Sequence, residues 1–228
     1  VGMSVAPRPA GPPLAARLRI TFAIGDGAGY VSHLDLTRAW MRAVRRLGLP
    51  LAYTHGYNPH PRLSVAAVSP VEIRAERELL DIYFDAPVDP SVLAARLPAA
   101  LPRGLVVRGV EAVPLAAPPL PSQVVAADYV VTFLDMAPPD LPQRVQRLMA
   151  AETVPFTRVR QQREISFDLR PRILEARVEE CAGLPALVLR LAHGPGGAAR
   201  PEDVLRVLGL EPTGTRVTRT GLVLTAAP

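Results

Sequence analysis

Lysine is absent from the 228-residue sequence, so all 26 basic side chains are arginine, set against 21 acidic residues. Alanine, proline, valine and glycine are abundant, a bias typical of GC-rich coding, so arginine content alone says little about function. Cysteine is nearly absent, with Cys181 standing alone. This excludes an intramolecular disulfide and an iron–sulfur cluster bound by three cysteines of this chain. A reducing, cytoplasmic location is therefore expected.

Long apolar runs are also missing. Prolines interrupt the N-terminal stretch, so residues 1–16 are expected to form a flexible tail. No apolar run reaches the roughly 18 residues that a membrane-spanning helix needs. The sequence contains no P-loop, no Gly-x-Gly-x-x-Gly pattern and no His-x-x-x-His pair. We therefore expect no membrane association, no cofactor and no resident metal.

Apolar residues recur with period 2 and with period 3.6 in an order that occurs twice. The first pass predicts a strand at 17–24, a helix at 32–50, strands near 62–68 and 78–85, a helix at 89–101 and a strand at 104–113. The second predicts a strand at 128–135, a helix at 141–152, strands near 163–179 and 186–192, a helix at 200–210 and a strand at 214–224. The fold class predicted is α+β, with two tandem ferredoxin-like (βαββαβ) halves and antiparallel sheets. The first domain covers 17–112, a proline-rich linker 113–123, and the second domain 124–228.

Positive charge is concentrated in the first half. Residues 17–62 hold seven arginines and two aspartates, a surplus of five that equals the net charge of +5 for the whole chain. Within the predicted first helix, Ser32 is placed to cap the N-terminus, with Asp35 three residues later as in a capping box. One helical face is apolar, and the opposite face carries a stripe of four arginines, namely Arg38, Arg42, Arg45 and Arg46. Such a stripe suits phosphate groups, although a solvated helix face explains it equally well.

The segment THGYNPHPRLS, residues 54–64, concentrates polar side chains on a stiff backbone. Pro59 and Pro61 restrict the backbone on both sides of His60, and Gly56 permits a turn. One reading is an Asn-Pro turn whose side chains cap the local backbone. Another is a site in which His33, His55 and His60 converge, with Tyr57 or Arg62 stabilising charge, for metal-independent RNA cleavage. A metal held by these histidines with Asp35 or Asp81 is a third reading, and a loop that grips RNA without catalysis is the reading we favour.

Two motifs in this region resemble the family of radical SAM-linked (radical SAM-associated) proteins. The first is Ser32-His33-Leu34-Asp35 followed by Arg38, and the second runs from Tyr57 to Pro61 with Ser64 after it. A later Asp168-Leu169-Arg170-Pro171 also fits the family pattern. The sequence departs from it after Ser64, where Glu72 stands near an expected glycine. The resemblance implies a partner, a radical S-adenosylmethionine enzyme carrying its own iron–sulfur cluster, and work on RNA or ribosome-related targets.

Three functions remain open at this point. The leading one is an RNA-binding accessory protein, more an aid to another enzyme than a catalyst by itself, that works with a radical S-adenosylmethionine enzyme. The alternatives are a metal-independent endoribonuclease and a protein-interaction adaptor without RNA binding. The residues predicted to bind nucleic acid are Arg38, Arg42, Arg45, Arg46, Tyr57, Asn58, His60 and Arg62. His193, by contrast, is interpreted as a surface residue at a strand end.

Overall fold

The computed structural model describes residues 13–25, 32–54, 57–67, 73–160, 163–194 and 197–225. Its helices are α1 (His33–Arg46), α2 (Pro90–Ala100), α3 (Leu120–Gln123), α4 (Leu141–Ala150) and α5 (Pro201–Val207), with a 3₁₀ turn at Arg170–Arg172. Its strands are β1 (Ala16–Ile24), β2 (Leu63–Val65), β3 (Arg74–Phe84), β4 (Leu105–Ala112), β5 (Val124–Phe133), β6 (Pro155–Arg160), β7 (Arg163–Asp168), β8 (Ile173–Cys181), β9 (Leu184–Ala192) and β10 (Thr215–Leu224). No helix in the described ranges is long and apolar enough to cross a membrane.

Eight of these strands form one large, mostly antiparallel sheet. Seven follow the order β4-β1-β3-β10-β5-β9-β8, and β2 pairs with β3. The predicted α+β class is confirmed, whereas the finer tandem ferredoxin-like arrangement and the domain boundaries stay predictions. The two antiparallel sheets expected from the sequence instead join into one, because β10 pairs in parallel with the start of β3. The short β2 covers only the C-terminal part of β3, so the N-terminal part has a free edge for β10.

The first helix packs as its periodicity predicts. Leu36, Trp40 and Ala43 are buried, and the Trp40 ring meets Phe22 of β1 edge-to-face with centroids 4.9 Å apart. The Ser32 hydroxyl accepts a hydrogen bond from the Asp35 backbone N–H and donates one to the Asp35 carboxylate. The cap and the apolar face together hold α1 against one face of the sheet, so its opposite side is left to solvent.

The strand predicted near 163–179 is two strands in different sheets. Residues of β7 pair with β6 in a separate hairpin, and β8 then enters the large sheet. The break lies at Asp168, whose carboxylate accepts the backbone N–H groups of Val154 and Arg170. Pro171 follows in the 3₁₀ turn and has no N–H to continue a strand ladder. Period-2 patterning alone does not distinguish one long strand from two that belong to different sheets.

A buried ion pair lies where β3 meets β10. The Arg219 guanidinium donates to both oxygens of Glu78, at 2.6 and 2.5 Å, and both residues are 1% exposed. Arg219 also donates to the hydroxyl of Tyr129, its partner across the β10–β5 ladder. Burial raises the pKa of Tyr129 above its ordinary value, so this hydroxyl stays neutral and satisfies part of the guanidinium.

A second buried cluster lies on the opposite face of the sheet. Asp81 is fully buried and accepts hydrogen bonds from the guanidinium groups of Arg17, at 2.6 and 2.8 Å, and Arg19, at 2.8 and 3.1 Å. Arg17 also donates to the carbonyls of Ala117 and Pro118, in the predicted linker. The proline-rich segment is therefore tied to the first half of the sheet by an arginine that the strand pattern alone would place toward solvent.

We expect Asp81→Asn to destabilise the protein by about 3–5 kcal/mol, because two buried arginines lose the charge that compensates them. The matched control is Asp128→Asn, which breaks an ion pair of similar geometry with Arg190 whose side chains are 30% and 45% exposed. That change is expected to cost less than about 1 kcal/mol. Urea unfolding of both variants gives the comparison, and equal losses of stability would contradict the assigned role of Asp81.

Candidate nucleic-acid interface

Exposed guanidinium groups line the outer side of α1. Arg38, Arg42, Arg45 and Arg46 are all exposed, while the apolar face beneath them is buried. We call these four residues the α1 stripe. Hydrogen bonding to Ser32, opposed by desolvation and then aided by Arg38, lowers the pKa of Asp35 at the start of the helix. The stripe is therefore positively charged along its length, with one carboxylate at its N-terminal end.

The members of the α1 stripe keep most of their donors available. Arg38 makes a single exposed contact with Asp35 at 3.3 Å, and Arg46 reaches the Ala100 carbonyl at 3.4 Å. Arg45 lies over the ring of Tyr53 at 5.9 Å, and Arg42 has no hydrogen-bond partner among the described residues. Exposed contacts of this kind are weak and break easily in favour of a ligand.

The polar loop is anchored at its base and exposed beyond it. Tyr53 and Pro61 form an antiparallel bridge, and the backbone N–H groups of Thr54 and His60 donate to His60 O and Thr54 Oγ1 respectively. Tyr57 is 93% exposed, and Asn58, Pro59 and His60 are exposed as well. The loop base contacts the α1 stripe through Tyr53 and Arg45, which places the two predicted binding elements side by side.

The predicted meeting of histidines stays a prediction. His55 and Gly56 lie outside the described residues, and so does the side chain of His33. The His33 backbone begins α1, about 18 Å along the helix axis from Arg45 at the loop base. Among the described residues, no group of three His, Cys, Asp or Glu side chains is arranged to hold a metal.

Two predicted site residues and one motif have structural partners. Asp81 is one of the metal ligands proposed from the sequence. Its carboxylate instead accepts hydrogen bonds from Arg17 and Arg19, which corrects the metal-ligand interpretation of this residue. Arg62 is exposed, but its guanidinium stacks on Tyr83 at 4.6 Å. Because strand neighbours alternate and Ile82 and Phe84 lie in the core under α1, Tyr83 and Arg62 lie on the opposite face of the sheet from the α1 stripe.

The Asp-Leu-Arg-Pro motif is likewise engaged within the fold. Leu169 is fully buried in the core of the second half, and Asp168 organises the strand break described above. Arg170 donates to the backbone carbonyls of Ile173 and Met149, each at 2.9 Å. These contacts join α4 to the start of β8, so the motif has a structural role within the fold.

A groove between the two halves was not anticipated from the sequence. It has a volume of about 780 Å³ and is bounded by residues of α1, β2 and α3 and by His193, Gly194 and Ala198, which follow β9. Its lining is Thr37, Leu63, Ser64, Val65, Ala66, Ala67, Pro121, Ser122, His193, Gly194 and Ala198. His193 comes directly after β9, as interpreted, but it is half-buried in this groove. Its contributors are far apart in sequence, so no local pattern reveals the site.

Residues 17–201 match the sequence pattern of a family described as "Uncharacterized protein conserved in bacteria (DUF2344)". The chain belongs to the DUF2344 family. No curated protein matches it. Among 28 matching chains of solved structures is one from the crystal structure of a Cbf5-Nop10-Gar1 complex, with 10% identity and a TM-score of 0.42. The match covers 89% of the DUF2344 chain and 48% of the other, so this chain spans about half of that one's length. A likeness this distant carries no argument about function.

We expect His193 to titrate below the ordinary histidine pKa of 6.5, because burial and then the nearby Arg219 both disfavour the imidazolium. The unfolded chain then binds the proton more readily. The contribution of His193 to stability is therefore complete above pH 6.5 and is lost as pH falls through the folded-state pKa. NMR titration of the imidazole in folded and urea-unfolded protein measures both values. A folded-state pKa at or above the unfolded one would contradict this environment.

Proposed function

We propose that this DUF2344 protein binds RNA and acts as an accessory to a radical S-adenosylmethionine enzyme. The observation that carries the RNA part is the α1 stripe ending beside the exposed Tyr57–His60 loop. The stripe offers charge for phosphates, and the loop offers an aromatic ring and polar side chains for bases. Neither element is buried by packing in the described part of the chain.

Phosphate binding follows from the chemistry of the guanidinium group. Its planar donors match phosphate oxygens in pairs, and clustered cations release counterions from the nucleic-acid backbone when they bind it. Along one helix face, Arg38, Arg42 and Arg45 recur at intervals of three or four residues and so follow one side of α1. A flexible single strand can place successive phosphates along such a row.

The loop supplies contacts that phosphate binding alone does not require. An exposed aromatic ring such as Tyr57 is a platform on which an unstacked base can lie. Asn58 and His60 carry both donors and acceptors for base edges or 2′-hydroxyl groups. The bridge between Tyr53 and Pro61 holds the loop base in place, which reduces the entropy lost when RNA binds.

The radical-enzyme part of the proposal rests on the resemblance of the Ser32–Asp35 and Tyr57–Pro61 motifs. Cys181 is the only cysteine of the sequence, so the sequence cannot supply three cysteines for an iron–sulfur cluster, and we assign that cluster to the partner enzyme. We also keep the interpretation of two ferredoxin-like halves. It is supported by the local strand orders β4-β1-β3-β2 and β10-β5-β9-β8, in which equivalent strands occupy equivalent places.

Replacing all four residues of the α1 stripe by glutamine should weaken RNA binding and flatten its salt dependence. Each lost phosphate contact reduces the slope of log K against log salt by about 0.7–0.9. Stability should change little, since the four side chains are exposed. Fluorescence anisotropy with a labelled single-stranded RNA at several salt concentrations measures the slope.

The matched control removes the same charge elsewhere, by changing exposed Arg103, Arg108, Arg206 and Arg216 to glutamine. Net charge falls equally in both variants, so general electrostatic attraction is reduced to the same degree. The control should keep a clearly steeper slope than the α1-stripe variant. Equal slopes in the two would remove α1 from the interface.

The substitution His60→Asn separates binding from catalysis. If His60 contacts RNA, the substitution should weaken RNA binding by roughly 1–3 kcal/mol, and neither the wild-type protein nor the variant should cleave RNA. As a general acid or base, it would support RNA cleavage with a bell-shaped pH profile that the variant slows by about 10²–10⁴. We expect the first result in binding and cleavage assays on metal-stripped protein. Unchanged affinity would exclude His60 from the interface.

A further inference from the structure

The groove between the halves combines an uncharged lining with available hydrogen-bonding groups. Every residue that lines it in the described part of the chain is neutral by type, apart from His193. Partial burial, and then the charge of Arg219, lower the pKa of His193 and favour its uncharged imidazole. Phosphate and carboxylate ligands need a compensating cation, so this lining suits a neutral ligand with polar edges.

Polar groups face the groove from two sides. Across the β2–β3 ladder, Arg62 O accepts from Tyr83 N, and Ala66 N donates to Leu79 O. In an antiparallel pair, the main-chain groups of successive residues point alternately toward and away from the neighbouring strand. Those of Leu63 and Val65 therefore point away from β3. These groups have no partner among the described residues. On the other side, the His193 imidazole likewise has no hydrogen-bond partner there, while its backbone N–H donates to Val125 O.

The shape of the groove favours a flat ligand over an added strand. Ala66 is buried against Leu120 and Val124, so one end of the β2 edge is closed by α3. Small residues, Ala67, Gly194 and Ala198, line the remaining walls. A volume of about 780 Å³ accommodates a nucleoside-sized molecule, but the closed end leaves no continuous edge for an extended peptide to pair with.

The groove also adjoins the proposed phosphate-binding surface. Thr37 lines the groove, and the next residue, Arg38, begins the α1 stripe. An RNA strand whose backbone follows the stripe can therefore turn one base into the groove, past the start of α1. The groove and the stripe thus meet at the first turns of the same helix.

We propose that the groove between the halves binds one unstacked nucleobase of the RNA, with the β2 edge and His193 contacting its polar edge. This inference rests on the proposed RNA-binding function and adds a specific site to it. The base would be read by hydrogen bonds to its edge, and Ala198 and Gly194 give room for its ring.

The first test uses a short single-stranded RNA and versions with one abasic nucleotide moved along it. At one register the missing base should reduce affinity about 5- to 100-fold, as expected for loss of about two hydrogen bonds to the base edge. Ala198→Phe, which fills the groove, should abolish that sensitivity while leaving the salt slope unchanged. Ser122→Phe on α3 is a second filling variant, and Ala95→Phe on the exposed side of α2 is the control.

The second test does not depend on RNA binding. Free nucleosides at millimolar concentration are titrated into the protein while the His193 imidazole is followed by NMR. A saturable shift that Ala198→Phe and Ser122→Phe abolish and Ala95→Phe preserves is expected. If RNA binds but no abasic register matters and nucleosides leave His193 unchanged, the groove inference is overturned and RNA binding stands.

The reverse result separates the two proposals in the other direction. Nucleoside binding in the groove without any RNA affinity would retain the base site and reject the RNA-binding function. A response of His193 to extended peptides but to no nucleoside would overturn the inference in favour of strand addition to β2. Absence of every response would reject both proposals.

Discussion

The Glu78–Arg219 ion pair is the interaction on which the joined sheet depends. It lies at the short parallel ladder between β3 and β10, where two otherwise antiparallel halves meet. Burying two charges costs free energy unless each is fully compensated. Here both carboxylate oxygens of Glu78 and the neutral Tyr129 hydroxyl accept hydrogen bonds from Arg219. The halves are thereby held in one relative position. The groove lined by His193 depends on that relative position, to which the contacts of Arg17 with Ala117 and Pro118 also contribute.

Arginine has two distinct physical roles in this chain. Arg17, Arg19 and Arg219 are buried and matched by Asp81 or Glu78, whereas the α1 stripe is exposed. The surplus of five charges counted over residues 17–62 therefore overstates the charge available at the surface. Two of the seven arginines in this range, Arg17 and Arg19, compensate the carboxylate of Asp81, which lies outside it. The stripe keeps its significance because its four members share one helix face, not because of the regional total.

The two proposed binding elements are adjacent for a structural reason. After α1 the chain turns back beside the C-terminal end of this helix. It then forms the bridge between Tyr53 and Pro61 and enters β2. The same return path brings β2 beside the first half of α1, where the groove begins. Loop, stripe and groove are thus consecutive parts of one surface built around a single helix. Arg62, although next to the loop in sequence, lies on the other face because strand side chains alternate.

The sequence alone determined the local elements. Ser32 and the spacing of Leu36, Trp40 and Ala43 specify the start and the buried face of α1, because capping and helical periodicity act over a few residues. Only the tertiary structure decided which strands share a sheet, that β6 and β7 form a separate hairpin, and that Glu78 meets Arg219 across 141 positions. Such pairings depend on free strand edges and on matched charges brought together from distant segments, and periodicity carries no information about either.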